Sequence, residues 1–175
     1  MMALLMLLTT PAAAEWRLPC LLGLLGGCSS VTLVPPEYAA GPVEPLDPQA
    51  ALAEINAFRA KYGRHALVLD ARLSRAATMQ SKDQAGRGSI GHRGSDGSTI
   101  MDRAKRAGYH PRIVAENVSW GHKSFSEVMY VWETSSSHRK NLLLPNVGAV
   151  GVAMAKSTSG RAYWTLVLGR EIETR

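Results

Sequence analysis

Five prolines fall between residues 35 and 48 (Pro35, Pro36, Pro42, Pro45, Pro48), with Gly41 among them, and this spacing defeats both helix and sheet from Ser29 to Asp47. Whatever folds cooperatively must lie after that stretch, which leaves about 130 residues, enough for one core and too few for two. The 175-residue chain is 46% hydrophobic and 19% charged, the balance of a globular protein. The expected layout is a leader over 1–28, a Pro/Gly-rich tether over 29–46 and a folded domain over 47–171.

The leader reads as an export signal. Arg17 precedes the apolar run Leu18 to Leu25, which ends in the small residues Gly26 and Gly27. Leu25-Gly26-Gly27-Cys28 resembles a bacterial lipobox, in which Cys28 is the lipidated residue, and Ser29 is not an inner-membrane retention signal. Acyl chains on Cys28 would supply the membrane partner. An exported protein is expected, either an outer-membrane lipoprotein or periplasmic, with extracellular release as the alternative. Pro11-Ala12-Ala13-Ala14 offers a second cleavage site, so the true start of translation stays open. A membrane span is disfavoured by Glu15, Trp16 and Arg17, which interrupt the apolar stretch. Both cysteines, Cys20 and Cys28, lie in or beside the leader, so no disulfide is expected in the domain.

A net charge of +6 is compatible with anionic partners. The basic residues are scattered, however, and the densest group, Arg103, Lys105 and Arg106, reads as a solvated helix face. Nucleic acid is therefore not an expected partner.

Asp47-Pro48 starts a first helix, with Ala51, Ile55, Phe58 and Tyr62 on one face and Gly63 as its stop. Asp70 caps a second helix with Leu73, Ala76, Ala77 and Gln80 on one face, broken at Gly86 and Gly88. A glycine-rich loop carrying His92 follows, and Ser98 or Thr99 opens a third helix that ends at Gly108. Residues 113–119 lean to strand, Ser124-x-x-Glu127 reads as a capping box, and the fourth helix places Phe125, Val128, Val131, Trp132 and Ser135 together, with Glu133 turned away. Two β-rich runs, 147–155 and 162–168, joined at Ser157 to Gly160, form a hairpin. Helices first and strands last predict an α+β layered domain.

Four ordered patterns carry a resemblance. They are Ile55-Asn56-x-x-Arg59; Gly91-His92, Asp96-Gly97, Arg103 and Gly108-Tyr109; Glu116-Asn117-Val118 with Gly121; and Trp132-x-x-Ser135-x-x-His138-Arg139-x-Asn141-Leu142-Leu143, followed by Val150-Gly151-Val152 and Tyr163-Trp164-Thr165. Their order over residues 50–169 resembles the bacterial branch of the CAP superfamily, the cysteine-rich secretory, antigen 5 and pathogenesis-related proteins.

The resemblance implies a three-layer α-β-α sandwich with a small, mainly antiparallel sheet, and a cleft where two histidines and two glutamates can hold a divalent metal, often zinc. By motif position this chain supplies His92, Glu116 and His138, with His92 and His138 as the candidate metal ligands; the second glutamate position falls on Ser135. Trp120, beside Gly121, is the aromatic residue expected to line the cleft, and Trp132, Tyr163 and Trp164 are expected in the core.

Two functions follow from the resemblance. The first is a non-catalytic binding module that captures a small hydrophobic, cell-wall or protein ligand; the alternative is a metal-assisted peptidase or cell-wall hydrolase with Glu116 or His92 as base. No His-Glu-x-x-His or Gly-x-Ser-x-Gly arrangement is present, which weighs against catalysis.

Overall fold

The structure, a computed structural model, describes residues 41–172. The leader, Cys20, Cys28 and most of the tether lie outside the described residues. Helix α1 spans Pro48–Lys61, strand β1 Val68–Leu69, helix α2 Ala71–Arg87 and helix α3 Ile100–Arg106. Strand β2 (Pro111–Trp120), helices α4 (Phe125–Thr134) and α5 (Ser136–Leu142), and strands β3 (Ala149–Lys156) and β4 (Ala162–Glu171) complete the described chain.

Local chemistry sets the helix boundaries. The Asp47 side chain accepts from the backbone of Gln49 and Ala50, and Asp70 accepts from Arg72 and Leu73, so both acidic caps form. Helix α2 runs through Gly86 and ends only at Gly88, whose φ of 69° is the left-handed conformation that suits glycine. Thr99 and Asp102 make the full reciprocal capping box of α3. At α4 the box is half made: Ser124 Oγ accepts from Glu127 N at 3.2 Å, while Glu127 Oε2 accepts from Lys123 N instead of the cap's own N–H.

The sheet has the order β1-β3-β4-β2, with β1 parallel to β3 and the other pairs antiparallel. It is mixed rather than purely antiparallel, and it lies between two helical layers. On one face Ile55, Phe58, Val128, Trp132 and Leu142 of α1, α4 and α5 pack against Val150, Val152, Trp164, Leu166 and Leu168. On the other, Leu73, Ala77 and Ala104 of α2 and α3 pack with Tyr109 against Ala153 and Val167. Strand β4 is central and covered on both faces, which explains why residues 162–169 are all buried instead of alternating.

The packed chain begins before the expected boundary at residue 47. Val43 and Leu46 pack against the larger core, Glu44 N donates to Lys123 O at 2.7 Å, and Lys156 Nζ donates to Val43 O. Prolines exclude helix there, but an extended backbone can still lay alternate apolar side chains on a neighbour.

Candidate functional site

Strand β2 is an edge strand, so residues of both helical layers can meet along it. Glu116 pairs in register with Val167 and shares its side of the sheet, toward α2 and α3; Asn117 pairs with Leu166 and faces the α4–α5 layer. Each side chain organises the helix or loop on its own side.

Glu116 is the centre of the site. Its side chain is 2% exposed, with Oε1 2.9 Å from His92 Nδ1 and Oε2 accepting from Arg103 at 2.7 Å. The Arg103 side chain is equally buried and also donates to Ser98 O at 3.0 Å and His92 O at 3.1 Å. His92 is therefore gripped at its ring and at its carbonyl, yet 61% of its side chain faces solvent. Gln80 and Gln84, both fully buried on α2, donate to Gly91 O and fix the loop just before His92.

On the other side Asn117 Nδ2 donates to His138 O at 3.1 Å, and Asn141 Nδ2 donates to Asn117 Oδ1 and Glu116 O. These amides tie α5 to β2 and bring His138 close enough to His92 for that ring to disfavour its charged form. The hydrogen bond to Glu116 raises the His92 imidazole above its ordinary value. His138 is lowered, first by burial and then by the neighbouring His92, and its Nδ1 is buried without a hydrogen-bond partner.

His92, Glu116 and His138 thus converge at one edge of the sheet, although 46 residues separate the first from the last. Ser135 and Trp120 do not share their contacts. Helix α4 stops at Thr134, and Ser135 takes φ −81°, ψ 123°, so it ends one helix and precedes another instead of lying on the face of Trp132. Serine runs break helices because their hydroxyls compete for hydrogen bonds, and Ser135 Oγ lies 3.3 Å from Ser137 Oγ. Trp120 stands four residues beyond Glu116, about 13 Å along the strand. Its ring stacks on Tyr163, and Arg161 sits 4.5 Å over the ring centroid.

Arg103 overturns its reading as part of a solvated face. The signal was helical spacing: Ile100, Arg103, Ala104 and Ala107 recur at i, i+3, i+4 and i+7, an inward stripe that includes the arginine. Lys105 and Arg106 of the same cluster are exposed. Glu133, set aside on helical geometry, has Lys61 and Glu54 of α1 as its charged neighbours and takes no part in the site. Trp132, Tyr163 and Trp164 are core residues, each 1% exposed or less.

The donors do not fit the divalent metal implied by the resemblance. Both Glu116 oxygens are engaged, and a buried guanidinium sits against the carboxylate, so Glu116 offers no free oxygen as a ligand. Among the described residues no group of three or more His, Cys, Asp or Glu side chains is disposed to hold a metal ion.

A three-layer domain with an acid–imidazole cluster on its edge strand defines a class, and comparison with known proteins identifies it. The chain belongs to the CAP family, the cysteine-rich secretory protein family, whose sequence model matches residues 52–168. It is 34% identical over 110 residues to the uncharacterized protein YkwD of Bacillus subtilis (strain 168), a match that takes in 63% of this chain and 42% of that protein. The chain thus spans less than half the length of the curated relative it matches. Among solved structures it resembles an outer surface protein of Borrelia burgdorferi (TM-score 0.66, 21% identity, 71% of this chain and 92% of the other). It also resembles an extracellular SCP-domain protein of Bacillus anthracis (TM-score 0.64, 23% identity, 75% and 45%).

Proposed function

We propose that this chain is an exported CAP module, anchored through Cys28, that captures a polar envelope ligand at the exposed His92 ring beside β2 without transforming it. The observation that carries the proposal is the combination of an exposed His92 ring with a buried, fully engaged Glu116–Arg103 pair. Such an arrangement holds one imidazole rigidly toward solvent and supplies no free carboxylate to move a proton. Ser135 and Ser137 face each other, and among the described residues no serine or threonine hydroxyl is hydrogen-bonded to His92 or His138. The exposed surface at this edge of the sheet carries the His92 ring, while the exposed large apolar residues Tyr62, Val68, Met79, Ile90, Trp120 and Ile172 are distributed over several elements, with Trp120 at the far end of β2 stacked on Tyr163. That favours a cell-wall fragment or peptide over a hydrophobic ligand. Export is supported by the leader and by the surface and extracellular proteins that share the fold.

Two measurements test this. The full chain, incubated with soluble peptidoglycan fragments, should retain a fragment in native mass spectrometry and lose it on His92→Ala, with the fragment's mass unchanged. Cys28→Ser should release the protein from the membrane fraction; persistent membrane association would remove the anchor from the proposal.

Hydrolysis is a second reading with one observation in its favour, because a histidine whose Nδ1 meets a carboxylate is also the geometry of an oriented general base. Fragment cleavage that disappears with His92→Ala and with Glu116→Gln would establish it and overturn simple capture.

A further inference from the structure

We infer that Arg103 is the built-in cation of this site: its guanidinium occupies the electrostatic position that a divalent ion would need beside Glu116, making the site independent of metal. The Arg103–Glu116 contact is 2.7 Å between two side chains that are each 2% exposed, so it is shielded from solvent and salt. Three acceptors from three places hold the guanidinium: Ser98 O, His92 O and Glu116 Oε2. It cannot swing aside without leaving the buried Glu116 Oε2 without its donor, although Ser98 O would keep the Gly94 N–H. A divalent ion entering beside Glu116 would meet a fixed positive charge, an oxygen already bonded to it, and a second oxygen already bonded to His92 Nδ1. The two imidazoles could then offer only the ring nitrogens not used by Glu116, which is too few donors for a closed site.

A functional consequence follows. A metal-dependent site would vary with the supply of the ion, whereas here the charge that fixes Glu116 and, through it, His92 is part of the chain. Ligand recognition falls to the imidazoles and neighbouring backbone, which exchange hydrogen bonds with hydroxyl and amide groups. The inference deepens the capture proposal and rests on it for its purpose, but its test reads metal binding alone, so each can fail without the other.

The test is a zinc titration of the full chain in detergent, with the histidine ring resonances of His92 and His138 followed by NMR. In the unaltered protein neither ring signal should move in an excess of zinc. A saturable one-to-one shift of both would overturn the inference without any variant. Arg103→Gln keeps hydrogen-bonding capacity but frees Glu116 from the charge, and should bind zinc about tenfold or more tightly than the unaltered chain, with both ring signals moving. That gain should vanish in Arg103→Gln/Glu116→Gln. If Arg103→Gln is folded, as its ring spectrum would report, and takes up zinc no better, then Arg103 is not what excludes the ion. Arg103→Lys retains the charge and should remain zinc-free; zinc uptake by this variant would equally sink the inference.

Discussion

Burying a carboxylate and a guanidinium together is tolerable only while each satisfies the other, and the Glu116–Arg103 pair is the sharpest case in this domain. Removing one partner leaves an uncompensated charge. Glu116→Gln should therefore destabilise the fold by about 3–5 kcal/mol, measured by urea unfolding. His92→Ala, which removes a largely exposed ring, should shift stability by less than about 1 kcal/mol. If the two variants unfold alike, the buried pair does not have the energetic role assigned to it. The histidines should also set the pH response. His92 is raised above its ordinary value near 6.5, so its contribution is complete below that value and is lost as pH rises through the folded one. His138 is lowered, so its contribution is present above 6.5 and is lost as pH falls through the folded value. The two act in opposite senses. His92→Gln should accordingly lose more stability than the unaltered chain between about pH 7 and pH 5; parallel urea midpoints across that range would contradict this.

The tightest junction between elements is that of α2 with β3. A Cβ at Gly151 would fall 2.1 Å from Ser74 N and 2.2 Å from the Leu73 carbonyl carbon, so the helix backbone rests directly on the strand. Gly151→Ala must push α2 away, and should cost about 3 kcal/mol by urea unfolding with both helix caps intact. Gly169 plays the corresponding part for Tyr109, whose ring lies where its side chain would be. Arg72 then lies 4.9 Å from the Tyr109 ring centroid and pairs with Asp70 and Glu171, clamping the start of α2 to the end of β4. Element identities were legible because caps and apolar spacing are local properties. The α4–α5 break was not: the fourth helix was expected to carry Ser135 on the face of Trp132, and the extended Ser135 instead ends it and precedes a further helix.

For the molecule as a whole, the edge position of β2 gives the site its composition. One layer delivers Arg103 and the His92 loop, and the other delivers His138 through the Asn117 and Asn141 amides. The proline-rich approach also belongs to the folded unit, since Val43 and Leu46 pack on the larger core. A chain shortened to begin at residue 47 should consequently melt about 5 °C below one beginning at residue 41, by differential scanning calorimetry. Equal melting temperatures would return those residues to the tether.

The sequence by itself determined the first four helices and their caps, the terminal hairpin, the α+β layering and, through motif order, the family, and it named His92, Glu116 and His138 as candidates. Those features depend on near neighbours or on recurring patterns, which a linear chain displays. Only the tertiary structure decided that β2 lies at the edge, that Arg103 turns inward onto Glu116, that Ser135 leaves the helix face and that Trp120 stacks elsewhere. Each of these is settled by which buried charges and amides find partners far along the chain, and such pairings exist only once the sheet has brought the two layers together.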